Sequence, residues 1–182
     1  MTPTSILAMT ETPRGLRNNN PGNIRISKIH WIGEADAQPD PDFVTFSAPE
    51  YGIRAVCKIL LSYQADDRCQ TIRQLISRWA PPNENDTGAY VDAVSRACGL
   101  GPDEPANVHT VAVMRPLVEA IIRQENGEQP YPPELILDGL RIAGIGPLLR
   151  RMDNDPEPSP EQAPEQISQD PPAPPEDDRI RV

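Results

Sequence analysis

Between residues 48 and 143 the apolar residues recur at helical intervals in five successive segments. Four of these segments are followed closely by proline or glycine, which end helices. Strands need a period of two, so this part of the chain cannot form a sheet without exposing its apolar face. The sequence predicts helices over Ala48–Gln64, Thr71–Trp79, Thr87–Cys98, Thr110–Asn126 and about Pro133–Ala143.

Residues at the helix ends refine these bounds. Ser47 is a candidate N-cap for the first helix, and Pro49 suits its first turn. Asp86 is expected to cap the third helix. Pro116 is expected either to start a new helix or to kink one, because it lacks a backbone donor.

The segment before the helices has a different pattern. Asn18–Gly22 is a turn cluster, and Phe43–Phe46 shows the alternation of a strand. Two or three short strands around a polar turn are therefore predicted. The fold class is mostly α (α+β), with a small N-terminal β element.

The chain of 182 residues favours one ordered domain, with a tail. Residues 1–13 are predicted to be a flexible N-terminus, and residues 14–150 to form the domain. Residues 151–182 contain nine acidic side chains against three arginines, many prolines and almost no large apolar residue. Such a composition predicts a disordered acidic tail, with a docking strand for a partner as the alternative.

Composition also narrows the class of protein. Of the net charge of -10, the tail holds -6, so the body offers no basic face for nucleic acid. The three cysteines and two histidines lack metal-ligand spacing, and we expect no metal or cofactor. No window approaches the roughly 18–20 apolar residues of a membrane span, and the N-terminus lacks signal-peptide features. We therefore expect synthesis in a bacterial cytoplasm.

Several blocks of the sequence resemble a family of phage and prophage lysozyme-like proteins, which are endolysin-like or virion structural proteins. The first block is RGLRNNNPGNIR at residues 14–25. Later blocks, in order, are WIG at 31–33, FVTF at 43–46, YGIRA at 51–55, RWAPPNENDTGAYVDAV at 78–94 and IIRQENGEQPY at 121–131. The resemblance covers about residues 14–145. It implies a lysozyme-like helical domain that acts on peptidoglycan.

A weaker resemblance links the chain to flagellar-type N-acetylglucosaminidases, which also have a lysozyme-like fold. It rests on the Asn19–Ile24 turn, the Phe43–Phe46 segment, the helix after it and the Tyr-bearing segment Asp86–Tyr90. In those enzymes a catalytic glutamate closes a helix just upstream of the turn. Here only about a dozen residues precede the turn, and they do not have a helical pattern.

Glycoside cleavage needs a carboxylic acid that stays protonated near neutral pH. Glu125 follows Ile121 by four residues on the apolar stripe of the fourth helix, at the end where the helix dipole disfavours an anion. We therefore predict that Glu125 is the general acid and that the lysozyme-like domain is circularly permuted, with this helix folding back onto the turn. The alternative is a last-turn residue that reaches solvent. Glu50 is the rival acid, although a first-turn glutamate more commonly balances the helix dipole.

Polar and aromatic residues near these segments are candidate glycan ligands. The asparagines of the turn would alternatively shape its backbone, Asp86 or Thr87 would cap the next helix, and at least one tryptophan is expected in the core. The predicted substrate-binding residues are Asn20, Asn23, Arg25, Trp79, Glu84, Asn85 and Tyr90.

The sequence thus predicts a peptidoglycan glycosidase or lytic transglycosylase of phage origin, which acts in the periplasm or is packaged in the virion. A lytic transglycosylase needs only one catalytic carboxyl, because the C6 hydroxyl of the sugar can replace water. The first alternative is a non-catalytic virion or assembly protein that binds glycan or protein, with the tail as its docking element. The second is a cytoplasmic regulator whose acidic tail binds a basic partner.

Overall fold

The computed structural model describes residues 12–65, 69–81 and 86–146. The described part is mostly helical, as predicted, and each of the five predicted helices begins and ends within one residue of its expected bounds. The predicted flexible N-terminus and acidic tail lie almost wholly outside the described residues. The helices are α1 (Arg14–Arg17), α2 (Pro49–Gln64), α3 (Ile72–Trp79), α4 (Thr87–Cys98), α5 (Val111–Asn126) and α6 (Pro133–Ile142).

The helix ends confirm one capping prediction and correct another. The Asp86 carboxylate accepts a hydrogen bond from the backbone N–H of Ala89 at 3.1 Å, which is the predicted cap of α4. Ser47 is not the cap of α2, because its hydroxyl donates to the Gly33 carbonyl oxygen at 3.0 Å. Pro116 lies inside α5, so the prediction that a new helix starts there is wrong.

The predicted N-terminal strands are replaced, in the described residues, by isolated antiparallel bridges. Arg25 pairs with Phe43, and Glu34 pairs with Phe46. The backbone follows the expected antiparallel course, but pairing stops after single residues. The predicted small β element is therefore corrected to a pair of loops joined by bridges.

The buried side chain of Asn20 explains why the pairing is so short. Its amide nitrogen donates to the carbonyl oxygens of Ile24 at 2.9 Å and Val44 at 2.8 Å. Its amide oxygen accepts from the Ile24 backbone N–H at 2.9 Å. The Ile24 N–H and the Val44 carbonyl oxygen, which a longer ladder would pair with each other, thus both bond this side chain, while the Ile24 carbonyl oxygen also accepts from the Val44 N–H at 3.0 Å.

The one-turn helix α1 was not predicted. Its N-cap, Pro13, makes no side-chain capping bond, and its first turn has no acidic residue. A single turn gains little from its own hydrogen bonds, so local sequence gives no signal for it. It packs against α5 and is stabilised by that tertiary contact.

A single hydrophobic core joins the loops to the helices. Helix α2 packs on α6, and α5 packs on α4, which in turn contacts α3. The cysteines are free thiols, with Cys57 and Cys69 buried. Fully buried side chains from the five helices α2 to α6 and from the loops meet in this core, including Phe46, Ile53, Leu60, Trp79, Val94, Leu117 and Leu140.

The turn at residues 18–23 lies directly on α2. A Cβ atom at Gly52 would overlap the carbonyl oxygen of Asn19 and press on the Pro21 ring. Only glycine permits this approach, so the position of the turn depends on Gly52. Gly88 in α4 is different, because a Cβ there would meet only the Asp86 side chain at an ordinary 3.6 Å.

We expect Gly52→Ala to lower the free energy of unfolding by about 1–3 kcal/mol, because the added methyl overpacks the contact with Asn19. Gly88→Ala is the matched control and should be neutral or stabilising by up to about 1 kcal/mol, since alanine favours helix. Urea unfolding of both variants measures the difference. Equal stabilities would contradict the close packing of turn and helix.

Asp40 organises the loop between the bridges. Its carboxylate accepts hydrogen bonds from Arg14 at 2.5 and 2.6 Å, from the Asn18 amide at 2.7 Å, and from the backbone N–H groups of Asp42 and Phe43 at 3.0 Å. The bond with Arg14 is the largest influence and holds the pKa of Asp40 well below its ordinary value of 3.8. The folded state therefore favours the ionised form.

A carboxyl whose pKa is lowered in the folded state stabilises the fold at pH values above its ordinary pKa. This stabilisation is lost as the pH falls. Below about pH 4, wild type should therefore lose stability more steeply than Asp40→Asn, which should be less stable than wild type at neutral pH. Thermal unfolding between pH 2 and pH 7 tests this. Asp42→Asn is the control, because Asp42 contacts the same arginine but is largely exposed.

Candidate functional site

Glu125 lies in the last turn of α5, on the face that the helix buries. Leu117 and Ile121 precede it on the same stripe and are fully buried. Glu125 is partly buried, and Gly127 ends the helix with a left-handed φ of 75°. The carboxyl therefore sits where the apolar stripe meets the end of the helix, as the sequence predicted.

Two buried side chains donate to the same oxygen of this carboxyl. The indole Nε1–H of Trp79, at the end of α3, donates to Glu125 Oε1 at 3.0 Å. The hydroxyl of Tyr90, in the first turns of α4, donates to that oxygen at 3.3 Å. Three helix ends converge on one carboxyl, so the alternative of a side chain that simply reaches solvent does not describe it.

Burial dominates the electrostatics of the site. It raises the pKa of Glu125 above the ordinary value of 4.5, because the charged form is poorly solvated there. Hydrogen bonds from Trp79, Asn23 and Tyr90 lower the pKa, but by less than burial raises it. Burial, with the charge of Glu125, also raises the pKa of Tyr90, so its phenol stays protonated as a donor.

This arrangement suits proton donation. Because Trp79 and Tyr90 both donate to Oε1, that oxygen is an acceptor, and the two donors fix the orientation of the carboxyl. A carboxyl that is neutral at higher pH than usual and oriented by two donors can act as a general acid.

The predicted turn also meets the end of α5. Asn23 has a left-handed φ of 48°, and its amide donates to the backbone carbonyl oxygen of Glu125 at 3.4 Å. Asn20 is fully buried and uses its amide for the backbone of the loops. Its predicted role as a glycan ligand is therefore wrong, and the turn-shaping alternative is right for this residue.

The aromatic predictions need a similar correction. Trp79 is fully buried and Tyr90 is 3% exposed, so neither ring can stack on a sugar. Both act instead through their polar atoms, on Glu125. A sequence pattern does not distinguish an aromatic ring that faces a ligand from one that faces a carboxyl.

The remaining candidates are spread over several elements. The Arg25 guanidinium lies over the Phe43 ring at 4.8 Å, and its glycan contact stays a prediction. Glu50 lies in the first turn of α2, where its carbonyl oxygen faces Gly139 of α6. This is the location that its charge-balancing interpretation requires. Glu84 and Asn85 lie outside the described residues.

Asn126 is a site residue that sequence reasoning missed. Its amide nitrogen donates to the Pro21 carbonyl oxygen at 2.8 Å and so joins α5 to the turn. Its place beside Glu125 and before the helix-ending Gly127 was the available signal, because polar side chains in a last turn can bond free carbonyl groups.

Comparison with known proteins identifies a phage relative. No family model matches the chain. It is 38% identical over 149 residues to "Protein P5" of Pseudoalteromonas phage PM2, and the match covers 80% of this chain and 89% of the relative. The chain belongs to the family of this phage protein. Membership in the P5 family supports the predicted bacteriophage origin, while the name P5 states no activity.

The described ranges of this P5-family chain contain neither a membrane-spanning helix nor a group of metal ligands. No helix within residues 12–65, 69–81 and 86–146 has both the length and the apolar character to cross a membrane. In the same ranges, no three histidine, cysteine, aspartate or glutamate side chains group as metal ligands would.

A raised carboxyl pKa destabilises the fold as pH rises, because the folded state holds the proton longer than the unfolded state. We expect Glu125→Gln to become increasingly stable relative to wild type as pH rises from about 4.5 through the raised pKa, and then to hold a constant advantage. Unfolding free energies measured across pH 4–9 test this. Glu128→Gln, at an exposed position, is the control.

Proposed function

We propose that this chain cleaves the glycan strands of peptidoglycan, as a glycosidase or lytic transglycosylase of phage origin. The observation that carries the proposal is the partly buried carboxyl of Glu125, which Trp79 and Tyr90 orient through one oxygen. The lysozyme-like, circularly permuted arrangement is part of the proposal. It is supported by the contact between Asn23 of the turn and the end of α5.

In the proposed reaction, the Glu125 carboxyl gives its proton to the oxygen between two sugars. The bond from this oxygen to the anomeric carbon then breaks, and positive charge develops on the sugar ring. The Glu125 carboxylate next accepts a proton, either from water or from the C6 hydroxyl, as that group bonds to the anomeric carbon. Water leaves a reducing end and the C6 hydroxyl leaves an anhydro end.

The raised pKa of Glu125 sets the pH range in which this side chain is protonated and can donate a proton. General acids act best when their pKa lies near the operating pH. Because burial raises the pKa of Glu125, the protonated form persists to higher pH than for an exposed glutamate. The rate should fall as pH rises through that pKa.

The second candidate is a non-catalytic virion or assembly protein with the same fold. It is favoured by the burial of Asn20 and Trp79, which removes two predicted glycan ligands from the surface. Here the hydrogen bonds of Glu125 would serve only to join three helices. Binding would then involve other surfaces or the tail, and delivery to the periplasm or packaging in the virion is proposed for either candidate.

Glu125→Gln should reduce cleavage of purified peptidoglycan at least about 10²-fold, since removing a general acid typically costs 10²–10⁴-fold. Mass spectrometry of the released muropeptides measures both rate and product. Anhydro ends identify a transglycosylase, and reducing ends identify a hydrolase.

Two further variants make this test specific. Glu50→Gln is the rival, and Glu128→Gln is the exposed control, three residues after Glu125 in the sequence. Full activity in Glu125→Gln, or loss only in Glu50→Gln, would reject the assignment. If wild type releases no muropeptides, the non-catalytic candidate is favoured.

A further inference from the structure

The end of α5 is joined to the turn by two asparagine side chains that donate in opposite directions. From the helix, Asn126 Nδ2 donates to the carbonyl oxygens of Pro21 at 2.8 Å and Ile122 at 2.9 Å. From the turn, the Asn23 amide donates to the Glu125 carbonyl oxygen at 3.4 Å. The Glu125 carbonyl is among the last of the helix, which have no partner within it, so the Asn23 amide also completes the helix end. We call these two side chains the asparagine clamp.

Gly15 of α1 closes the clamp from the other side. A Cβ atom there would lie 2.5 Å from Asn126 Oδ1, 2.6 Å from Asn23 Oδ1 and 2.8 Å from the Asn20 carbonyl oxygen. All three distances are too short for a carbon, so only glycine lets α1 rest on both amides. The glycine of the RGLRNNNPGNIR segment is therefore a contact of the clamp.

The orientation of Asn126 has an energetic cost. Its Oδ1 is buried and receives no hydrogen bond from the part of the chain that the structure describes. An unpaired buried acceptor destabilises the fold. The amide keeps this orientation because its nitrogen donates to two carbonyl oxygens. The clamp therefore holds the helix end in one position, although Asn126 Oδ1 has no hydrogen-bond partner among the described residues.

We propose that Asn126 is a positioning residue for Glu125, which it holds beneath the Trp79 and Tyr90 donors by tying the last turn of α5 to Pro21. Asn126 and Glu125 are adjacent in one helical turn, so a shift of the first moves the second. The inference rests on the proposed function, because placement to within about 1 Å is worth up to about 10²-fold in rate only at a reacting group.

The two tryptophans of the chain provide a direct test that does not depend on activity. The Trp79 indole N–H donates to Glu125, so its NMR signal reports the ionisation of that carboxyl, while Trp31→Phe identifies the other indole signal. In Asn126→Ala we expect the titration midpoint of the Trp79 signal to fall toward 4.5, because the freed helix end admits water. We also expect the rate of peptidoglycan cleavage to fall about 10²-fold.

Asn107→Ala is the matched control, since Asn107 is exposed and its side chain accepts a local bond from the His109 backbone N–H. It should change neither the midpoint nor the rate. Gly15→Ala is the second clamp variant and should shift the midpoint in the same direction as Asn126→Ala. An unchanged midpoint in folded Asn126→Ala would overturn the proposal.

The two readouts separate this inference from the proposed function. A shifted midpoint with no cleavage by wild type supports the clamp and rejects the glycosidase. Cleavage by wild type that Asn126→Ala leaves unchanged rejects the positioning role alone.

Discussion

The turn at residues 18–23 is packed so closely between α2 and α5 that the rest of the structure depends on it. Its Asn19 carbonyl rests on Gly52 of α2, and its Pro21 carbonyl accepts from Asn126 of α5. Asn19 and Asn23 both have left-handed φ values, 51° and 48°, which asparagine tolerates better than other residues with a Cβ. The turn therefore presents one carbonyl group to α2 and another to α5, and it fixes the distance between these two helices.

The Glu125 carboxyl at the end of α5 constrains the structure through the cost of burying a charge. Burial works against an ionised glutamate, and the hydrogen bonds from Trp79 and Tyr90 offset only part of that cost. A glutamine would keep the shape without a charge to desolvate. Carboxyl groups with perturbed pKa values and specific donors concentrate at functional sites, so the raised pKa of Glu125 fits the proposed chemistry.

Sequence reasoning succeeded where a signal is local and failed where a partner lies far along the chain. The helices followed from their apolar period, and the Asp86 cap from its place before α4. The strands failed because the alternation at Phe43–Phe46 indicates which side chains are buried but not which groups pair with the backbone. Asn20 took that pairing role, and nothing in a run of three asparagines shows which one turns inward.

The sequence by itself determined the five longer helices, their order and the place of Glu125 on an apolar stripe at a helix end. Only the tertiary structure decided that Trp79 and Tyr90, 46 and 35 residues away along the chain, donate to that carboxyl. It also decided that the Asn23 amide, 102 residues away, reaches the same helical turn. The physical reason is that periodicity and capping are properties of neighbouring residues. The meeting of distant polar groups depends instead on how all the helices pack around one core.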